Sequence, residues 1–348
     1  MIHFSLIARC FYISFLLRHQ NKPIIKVLHG VRGVGKSTIL NMYRDELRVA
    51  GVDKQHIIVV DCEEKDTYEC ADVFTLNKYI ESLMMDDSLY YVFLDEVQKV
   101  KGYELLLGSL FIKPNVDLYV ASSSGEFLRG TLSTNLTGRY LQKEVFPLSF
   151  AEYVSASDSV LDLKEMFREY QYSAFPYLRH TRDDVERINY LENLYDTICA
   201  NDGDEVLAYS IPRYDIKKRT FLRGSGKEYV IDLGMKGKLD IERADDVDYE
   251  LKNIVCLELR RRFAHVYAGV IGDSEIDFVA MGATGEREYY QVESSPLSEE
   301  DVEHKLKSLA TIEDQYPQYM LTMDRNTQVK NYGGIRVLSI VDWLLESC

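Results

Sequence analysis

The 348-residue sequence has only 7 prolines, one tryptophan and 6 cysteines. No two cysteines form a CxxC pair and no Cys/His group has zinc-site spacing, which excludes a structural metal centre of that kind. Scattered thiols at Cys10, Cys62, Cys70, Cys199, Cys256 and Cys348 fit a reducing compartment and a cytoplasmic location. Cys62 and Cys256 lie in apolar runs and read as core residues. No apolar run reaches the ~20 residues of a bilayer span. Met1–Leu17 comes nearest, but His3, Ser5, Arg9 and Ser14 interrupt it. It also lacks the basic start and small-residue cleavage site of a signal peptide. A helix or strand packed on the following domain is expected there, with no membrane partner. Cations are scarce as well: 41 Lys and Arg stand against 56 Asp and Glu, for a net charge of -15. That balance does not support DNA as a general partner, because phosphate binding needs clustered Lys and Arg. The one local exception is Arg213, Lys217, Lys218, Arg219, Arg223 and Lys227, which reads first as a solvated loop or hairpin face.

What is present is an alternation of short β-branched runs with helical patterns, the mark of a parallel α/β sheet with helices on both faces. Strands are expected at Ile24–His29, Ile57–Asp61, Leu89–Leu94, Leu118–Ser122 and Leu141–Phe146. Ser37–Leu47 reads as a helix with Ile39, Leu40, Tyr43 and Leu47 on its buried face. From Phe150 to about Asn201 the pattern turns helical and acidic, and Asp202–Gly237 holds short strand-like pieces. A second α/β pattern begins near Val247: a helix, three strands, a helix at Glu299–Ile312, two strands and a final short helix. The expected division is an apolar segment 1–22, a nucleotide-binding domain 23–150, a helical and irregular linker 151–245 and a C-terminal α/β domain 246–348.

Gly30-Val31-Arg32-Gly33-Val34-Gly35-Lys36-Ser37-Thr38 contains GxxxxGKS between a strand and a helix. The glycines let backbone N–H groups turn toward phosphates, and the following helix points its positive end at the same anions. Lys36 supplies a mobile charge for the β- and γ-phosphates, and Ser37 offers a hydroxyl to Mg²⁺. Tyr90-Tyr91-Val92-Phe93-Leu94-Asp95-Glu96 is an apolar strand ending in two carboxylates. Asp95 is placed to hold Mg²⁺ and Glu96 to activate the attacking water. Two weaker parts are a hydroxyl of Ser122-Ser123-Ser124, as a γ-phosphate sensor or as a helix cap, and Arg139, as a stabiliser of transition-state charge in cis or in trans or as a surface ion pair. The expected cofactors are ATP and Mg²⁺, and the expected activity is ATP hydrolysis.

The chain resembles the bacterial and archaeal AAA-type ATPases that carry a C-terminal nuclease-like domain of unknown function. The matching stretches are Lys26–Ser37, Phe93-Leu94-Asp95-Glu96-Val97-Gln98, Leu136-Thr137-Gly138-Arg139-Tyr140 and Val145–Tyr153, then Tyr229–Gly234, Asn253–Arg262 and Glu275–Val279. The resemblance implies an extra strand between the loop strand and the Asp95 strand, with Ser122–Ser124 at its tip and Arg139 finger-like. Ser124 stands where the family's sensor amide would be. The region Ile198–Ile211 is too short for the winged-helix-like module of relatives.

In the C-terminal part, Glu258 shares the face of Leu251 and Ile254, while Asp277 and Glu293 lie on successive strands. This order resembles the PD-(D/E)XK nuclease core, and Glu258, Asp277 and Glu293 are the candidate second metal site. Gln291-Val292-Glu293 stands where (D/E)-x-K would be, so the catalytic lysine is missing and an inactive, structural or interaction role is expected. Other readings are a GTPase, which would want an Asn-Lys-x-Asp reader that Asn77-Lys78-Tyr79-Ile80 does not supply, and a small-molecule kinase, which would want an Arg-rich lid. Two more are a nucleotide-gated interaction module and a DNA-processing protein. A homo-oligomer is compatible with an arginine acting in trans, and the protein client is not written in the sequence.

Overall fold

The computed structural model describes residues 7–63, 72–123, 136–156, 162–224, 226–239, 246–294, 306–323 and 330–346. They form two compact units. The first comprises Ala8–Pro147 with Asp196–Val206, the second Met1–Ile7, Leu148–Tyr195 and Leu207–Cys348. The residues expected to form a linker, 151–245, are therefore not set apart: most share the second unit with the C-terminal strands.

The first unit is built on five parallel strands: β1 Ile25–His29, β2 Ile57–Asp61, β3 Tyr90–Asp95, β4 Val116–Ser122 and β5 Tyr140–Glu144. Their order is β2-β3-β4-β1-β5. The extra strand implied by the resemblance is β4, and it ends at Ser122. All of β1 and five residues of β3 are buried, so these strands do not alternate polar and apolar, as expected where both faces are covered. On one face Val92, Leu94, Val120 and Val27 pack with α3 (Val73–Ser82) and α4 (Tyr103–Phe111). On the other, Phe93 stacks on Tyr119 at 4.8 Å and both meet Tyr43 of α2 (Lys36–Val49). Helix α2 buries Ile39, Leu40, Tyr43 and Leu47, the face its spacing predicts.

The apolar N-terminal stretch contains helix α1, Cys10–Arg18, with Tyr12 and Leu16 buried. Among the described residues no helix is long and apolar enough to cross a membrane. Arg9, 3% exposed, ties this segment to the sheet unit: its guanidinium donates to the Val34 carbonyl at 2.9 Å and to the Phe146 carbonyl at 2.8 Å. The Phe146 amide donates in turn to the Tyr12 hydroxyl at 3.1 Å.

A second buried charge braces the strand starts. Lys26 of β1 is ion-paired with Asp117 of β4 inside the sheet. Tyr119 donates to the same carboxylate at 2.6 Å and the Asn21 amide donates to it at 2.8 Å, so its oxygens are satisfied by three elements at once.

The second unit packs α5 (Phe150–Ser155), α6 (Leu163–Tyr172) and α8 (Val247–Arg262) with a mixed sheet, and α7 (Asp184–Asp202) lies partly within the same unit. The expected strand-like pieces are β6 Ala208–Ile211, β7 Arg213–Asp215, β8 Thr220–Phe221 and β9 Lys227–Val230. They are followed by β10 His265–Ile271, β11 Ser274–Met281, β12 Arg287–Glu293, β13 Gln318–Thr322, β14 Lys330–Tyr332, β15 Ile335–Ser339 and α9 Ile340–Leu345. The eight-stranded sheet runs β14-β15-β13-β12-β11-β10-β7-β8, antiparallel through β10, β11 and β12 and parallel from β12 to β13 and β15. The helix expected at Glu299–Ile312 lies largely outside the described residues, and 306–310 is helical.

Removing one partner of a buried ion pair leaves the other charge uncompensated, at a cost of about 3–5 kcal/mol. Asp117→Ala should therefore lower unfolding stability by about that amount in urea titrations. Asp45→Ala, which removes an exposed pair with Arg48, should barely move the midpoint.

Candidate functional site

The carboxyl edge of the parallel sheet gathers the phosphate loop, the Asp95–Glu96 corner and the tip of β4. The loop leaves β1 at His29 and enters α2 at Lys36. Gly30 is required by closeness: a Cβ there would fall 2.4 Å from the Val145 carbonyl, on a segment tied to the loop strand by the Val145 amide donating to the His29 carbonyl at 2.7 Å. Gly35 caps α2 with φ 95°, a left-handed conformation that side chains resist. Arg9 holds the Val34 carbonyl from behind. Gly33, Ser37 and Thr38 are exposed and Arg32 is half-buried, which leaves the front of the loop open.

Lys36 is 4% exposed. Its ammonium donates to the carbonyls of Gly30 at 3.0 Å and Val31 at 3.2 Å, and faces Glu96 Oε1 at 3.3 Å. Burial pulls the Lys36 pKa down, and the carboxylates of Glu96 and Asp95 oppose that pull. Asp95 ends β3, close enough to the Ser37 hydroxyl for that group to lower its pKa. Burial raises the Asp95 carboxyl, against the lowering effect of Ser37 and Lys36.

Glu96 has left-handed backbone (φ 49°, ψ 44°), unusual for a residue with a side chain and a kind of strain found at functional sites. Its Oε2 accepts from the Ser123 hydroxyl at 2.6 Å, from the Ser123 amide at 3.2 Å and from the Gln98 side-chain amide. Ser122 donates to the Gln98 carbonyl oxygen at 2.6 Å, which closes the network. Burial pushes the Glu96 carboxyl up, but Lys36, Ser123 and Gln98 outweigh it and hold the pKa at about 2. A cavity of about 420 Å³ opens beside this network, lined by Gln98, Lys99, Tyr103, Ser123, Asn201 and Asp202.

The structure thus brings together Lys36, Ser37, Asp95 and Glu96. Ser124 lies outside the described residues. Its neighbours Ser122 and Ser123 are the hydroxyls seen at the strand tip, and Ser123 and Gln98 are site residues that the sequence reading gave no individual role. Gln98 had a signal, since it closes the stretch Phe93–Gln98. Arg139 is not brought to the loop. It precedes β5 at the start of β1, where its carbonyl accepts from the Ile25 amide at 2.9 Å. The loop begins after His29, four strand residues on, or about 13 Å away. A role in cis is therefore corrected. The Arg139 side chain is exposed, its guanidinium 5.8 Å from the Phe111 ring.

The second candidate metal site is not gathered either. Glu258 is paired with Arg261 at 3.0 Å and Arg262 at 2.8 Å, so its burial is balanced by the cations of its own helix end. Among the described residues no group of three His, Cys, Asp or Glu side chains is arranged to hold a metal. Asp277 instead faces Lys252 of α8 at 3.0 Å and accepts from the Val292 amide at 2.9 Å. Asp248 and Glu293 act on the same ammonium, whose pKa is raised because Asp277 and these two carboxylates outweigh its burial. Cys62 and Cys256 are buried, and burial pushes both thiols up to about 12, in keeping with inert core positions.

Residues 22–154 match the family described as "AAA domain". An uncharacterized protein of Haemophilus influenzae is 27% identical over 404 aligned positions that cover 98% of this chain and 99% of that one. The alignment is longer than this chain, so the relative carries residues without a counterpart here. The uncharacterized protein MJ1637 of Methanocaldococcus jannaschii is 24% identical over 44% of this chain and 32% of its own length. Among solved structures, AMPPCP-bound DnaA from Aquifex aeolicus aligns with TM-score 0.37 and 14% identity over 54% of this chain and 67% of that one.

A folded-state pKa held below its unfolded value contributes stability above the unfolded pKa and loses it as pH falls. For Glu96 that window runs from about 4.5 down to about 2. Glu96→Gln should therefore flatten part of the acid limb between these values in a denaturation series, while the unaltered protein keeps falling. The loop between β1 and α2 and the Asp95 corner both lie within residues 22–154, the segment that matches the AAA domain family.

Proposed function

We propose that the protein hydrolyses ATP with Mg²⁺ at the Lys36–Glu96 site. The observation that carries this reading is the grouping of ammonium, hydroxyl and two carboxylates at one sheet edge: Lys36 with Glu96 at 3.3 Å, and Ser37 near Asp95. Gly30–Thr38 grip the triphosphate, and Lys36 exchanges its loop carbonyls and Glu96 for phosphate oxygens. Ser37 and Asp95 offer hard oxygen donors of the kind Mg²⁺ takes, and the ion would neutralise charge on the phosphates. Glu96, once released by Lys36, orients and deprotonates the attacking water. Ser123 and Gln98 position Glu96. Arg139, exposed and remote from its own loop, would act on the site of a neighbouring copy in a homo-oligomer. ATP as fuel implies a cytoplasmic setting. Lys36→Ala should abolish turnover, whereas Glu96→Gln should keep ATP binding and slow hydrolysis by roughly a hundredfold or more. Unchanged turnover in purified Lys36→Ala protein, or tighter binding of GTP than ATP, removes this assignment. Clear ATP affinity with turnover well below about one per minute, by the usual enzyme scale, would instead favour a nucleotide-gated interaction module.

A second reading is favoured by Lys252. The lysine absent from the Gln291-Val292-Glu293 stretch has a counterpart in space, delivered by α8 to Asp277 at 3.0 Å beside Glu293. Two carboxylates and a lysine on a helix–strand–strand–strand unit support a DNA-processing role like that of PD-(D/E)XK nucleases. A divalent metal there would be held by Asp277 and Glu293 together with substrate phosphate, the usual ligand set for Mg²⁺. Cleavage of labelled DNA in Mg²⁺ or Mn²⁺ should then vanish in both Asp277→Ala and Lys252→Ala. Intact DNA across several metals leaves this unit a structural or docking domain.

A further inference from the structure

The second unit carries a local charge opposite to that of the chain. Between positions 213 and 223 stand five cations, Arg213, Lys217, Lys218, Arg219 and Arg223, against one acid, Asp215, in a protein of net charge -15. They decorate the β7–β8 hairpin, which forms one edge of the eight-stranded sheet. The hairpin is well braced. Asp215 accepts from the Lys218 amide at 2.8 Å, the Ile216 amide donates to the Val270 carbonyl at 2.9 Å, and Leu222 bonds back to Arg213 at 3.0 Å. The nearby acids are occupied: Asp215 by Lys218 at 3.5 Å, and Glu275 by Arg213 at 3.1 Å and Lys227 at 3.0 Å. Lys217, Arg219 and Arg223 are exposed and have no acidic partner among the described residues.

Between these cations lies Phe221, 61% exposed on the edge strand. Tyr214 and Tyr267 support it from 5.6 and 5.1 Å, both inclined at more than 60°, so neither lies flat on the ring. Tyr214 and Tyr267 stack on each other at 5.7 Å and hold the platform in place. Leaving a phenylalanine in water is unfavourable, and its position among unpaired cations suits a ligand with alternating anionic and flat aromatic groups. Single-stranded nucleic acid is such a ligand, because every base has a π-face and every linkage a charge. A duplex offers its phosphates but keeps its bases stacked on one another. An acidic peptide offers charge without the rings.

We propose that the 213–223 hairpin binds single-stranded nucleic acid, with a base stacked on Phe221 and phosphates on Lys217, Arg219 and Arg223. This goes beyond the ATPase reading and does not depend on it, so it is tested without nucleotide and in EDTA. Fluorescence anisotropy with a labelled oligo-dT should show binding at low salt that weakens with added salt, with a slope near -2 for three phosphate contacts. Phe221→Ala should weaken it roughly tenfold. The triple variant K217E/R219E/R223E should abolish it while the circular dichroism melt stays unchanged, since all three side chains are exposed. Duplex of equal length should bind less tightly. The proposal is overturned if oligo-dT does not bind, or if binding survives both sets of substitutions. It is overturned equally if duplex, poly-glutamate or anionic vesicles bind as well as oligo-dT, which would make the hairpin a plain electrostatic surface.

Discussion

The first unit is organised around the placement of one buried ammonium. Lys36 lies almost wholly out of water, and a lysine there is tolerable only with anions or carbonyls on every side. In this structure they are the Gly30 and Val31 carbonyls and Glu96. The anion can be exchanged but not omitted. A triphosphate entering the loop offers Lys36 a stronger partner and leaves Glu96 to its remaining donors, Ser123 and Gln98. Under the proposed function, binding and activation of the carboxylate would be linked through that single charge.

The surroundings keep that charge in register. Parallel pairing of β3, β4 and β1 brings Asp95, Ser122 and His29 to one edge. The Val145 carbonyl lies so near Gly30 that no side chain fits. Arg9 fixes the loop from the rear, and Lys26–Asp117 locks β1 to β4 near their other end. The Arg9 and Lys26–Asp117 contacts are buried, polar and shared between elements, which confers positional specificity as well as stability.

Much of this was legible in the sequence because short local patterns carry it. GxxxxGKS names its own strand, turn and helix, and Tyr90–Glu96 delivers two carboxylates to a sheet edge by strand geometry alone. The place of β4 between β1 and β3 followed from the resemblance and not from periodicity. What stayed hidden depends on residues far apart in the chain. Arg9 reaches Val34 and Phe146, and Lys252 reaches Asp277, across separations that no local spacing encodes. The resemblance to a nuclease core made Glu258 a candidate ligand, but the arginines three and four positions on neutralise it. For Arg139 the sequence left roles in cis and in trans open, because a local motif does not show that β5 pairs with β1 in parallel.

The most direct test is a crystal structure with Mg²⁺ and a non-hydrolysable ATP analogue. The account predicts the Lys36 ammonium on the β- and γ-phosphate oxygens and withdrawn from Glu96. It also predicts the metal between Ser37 and Asp95, and Glu96 directed at the water in line with the γ-phosphate. A nucleotide bound elsewhere, or a Lys36–Glu96 pair still closed at 3.3 Å with the analogue present, would contradict it.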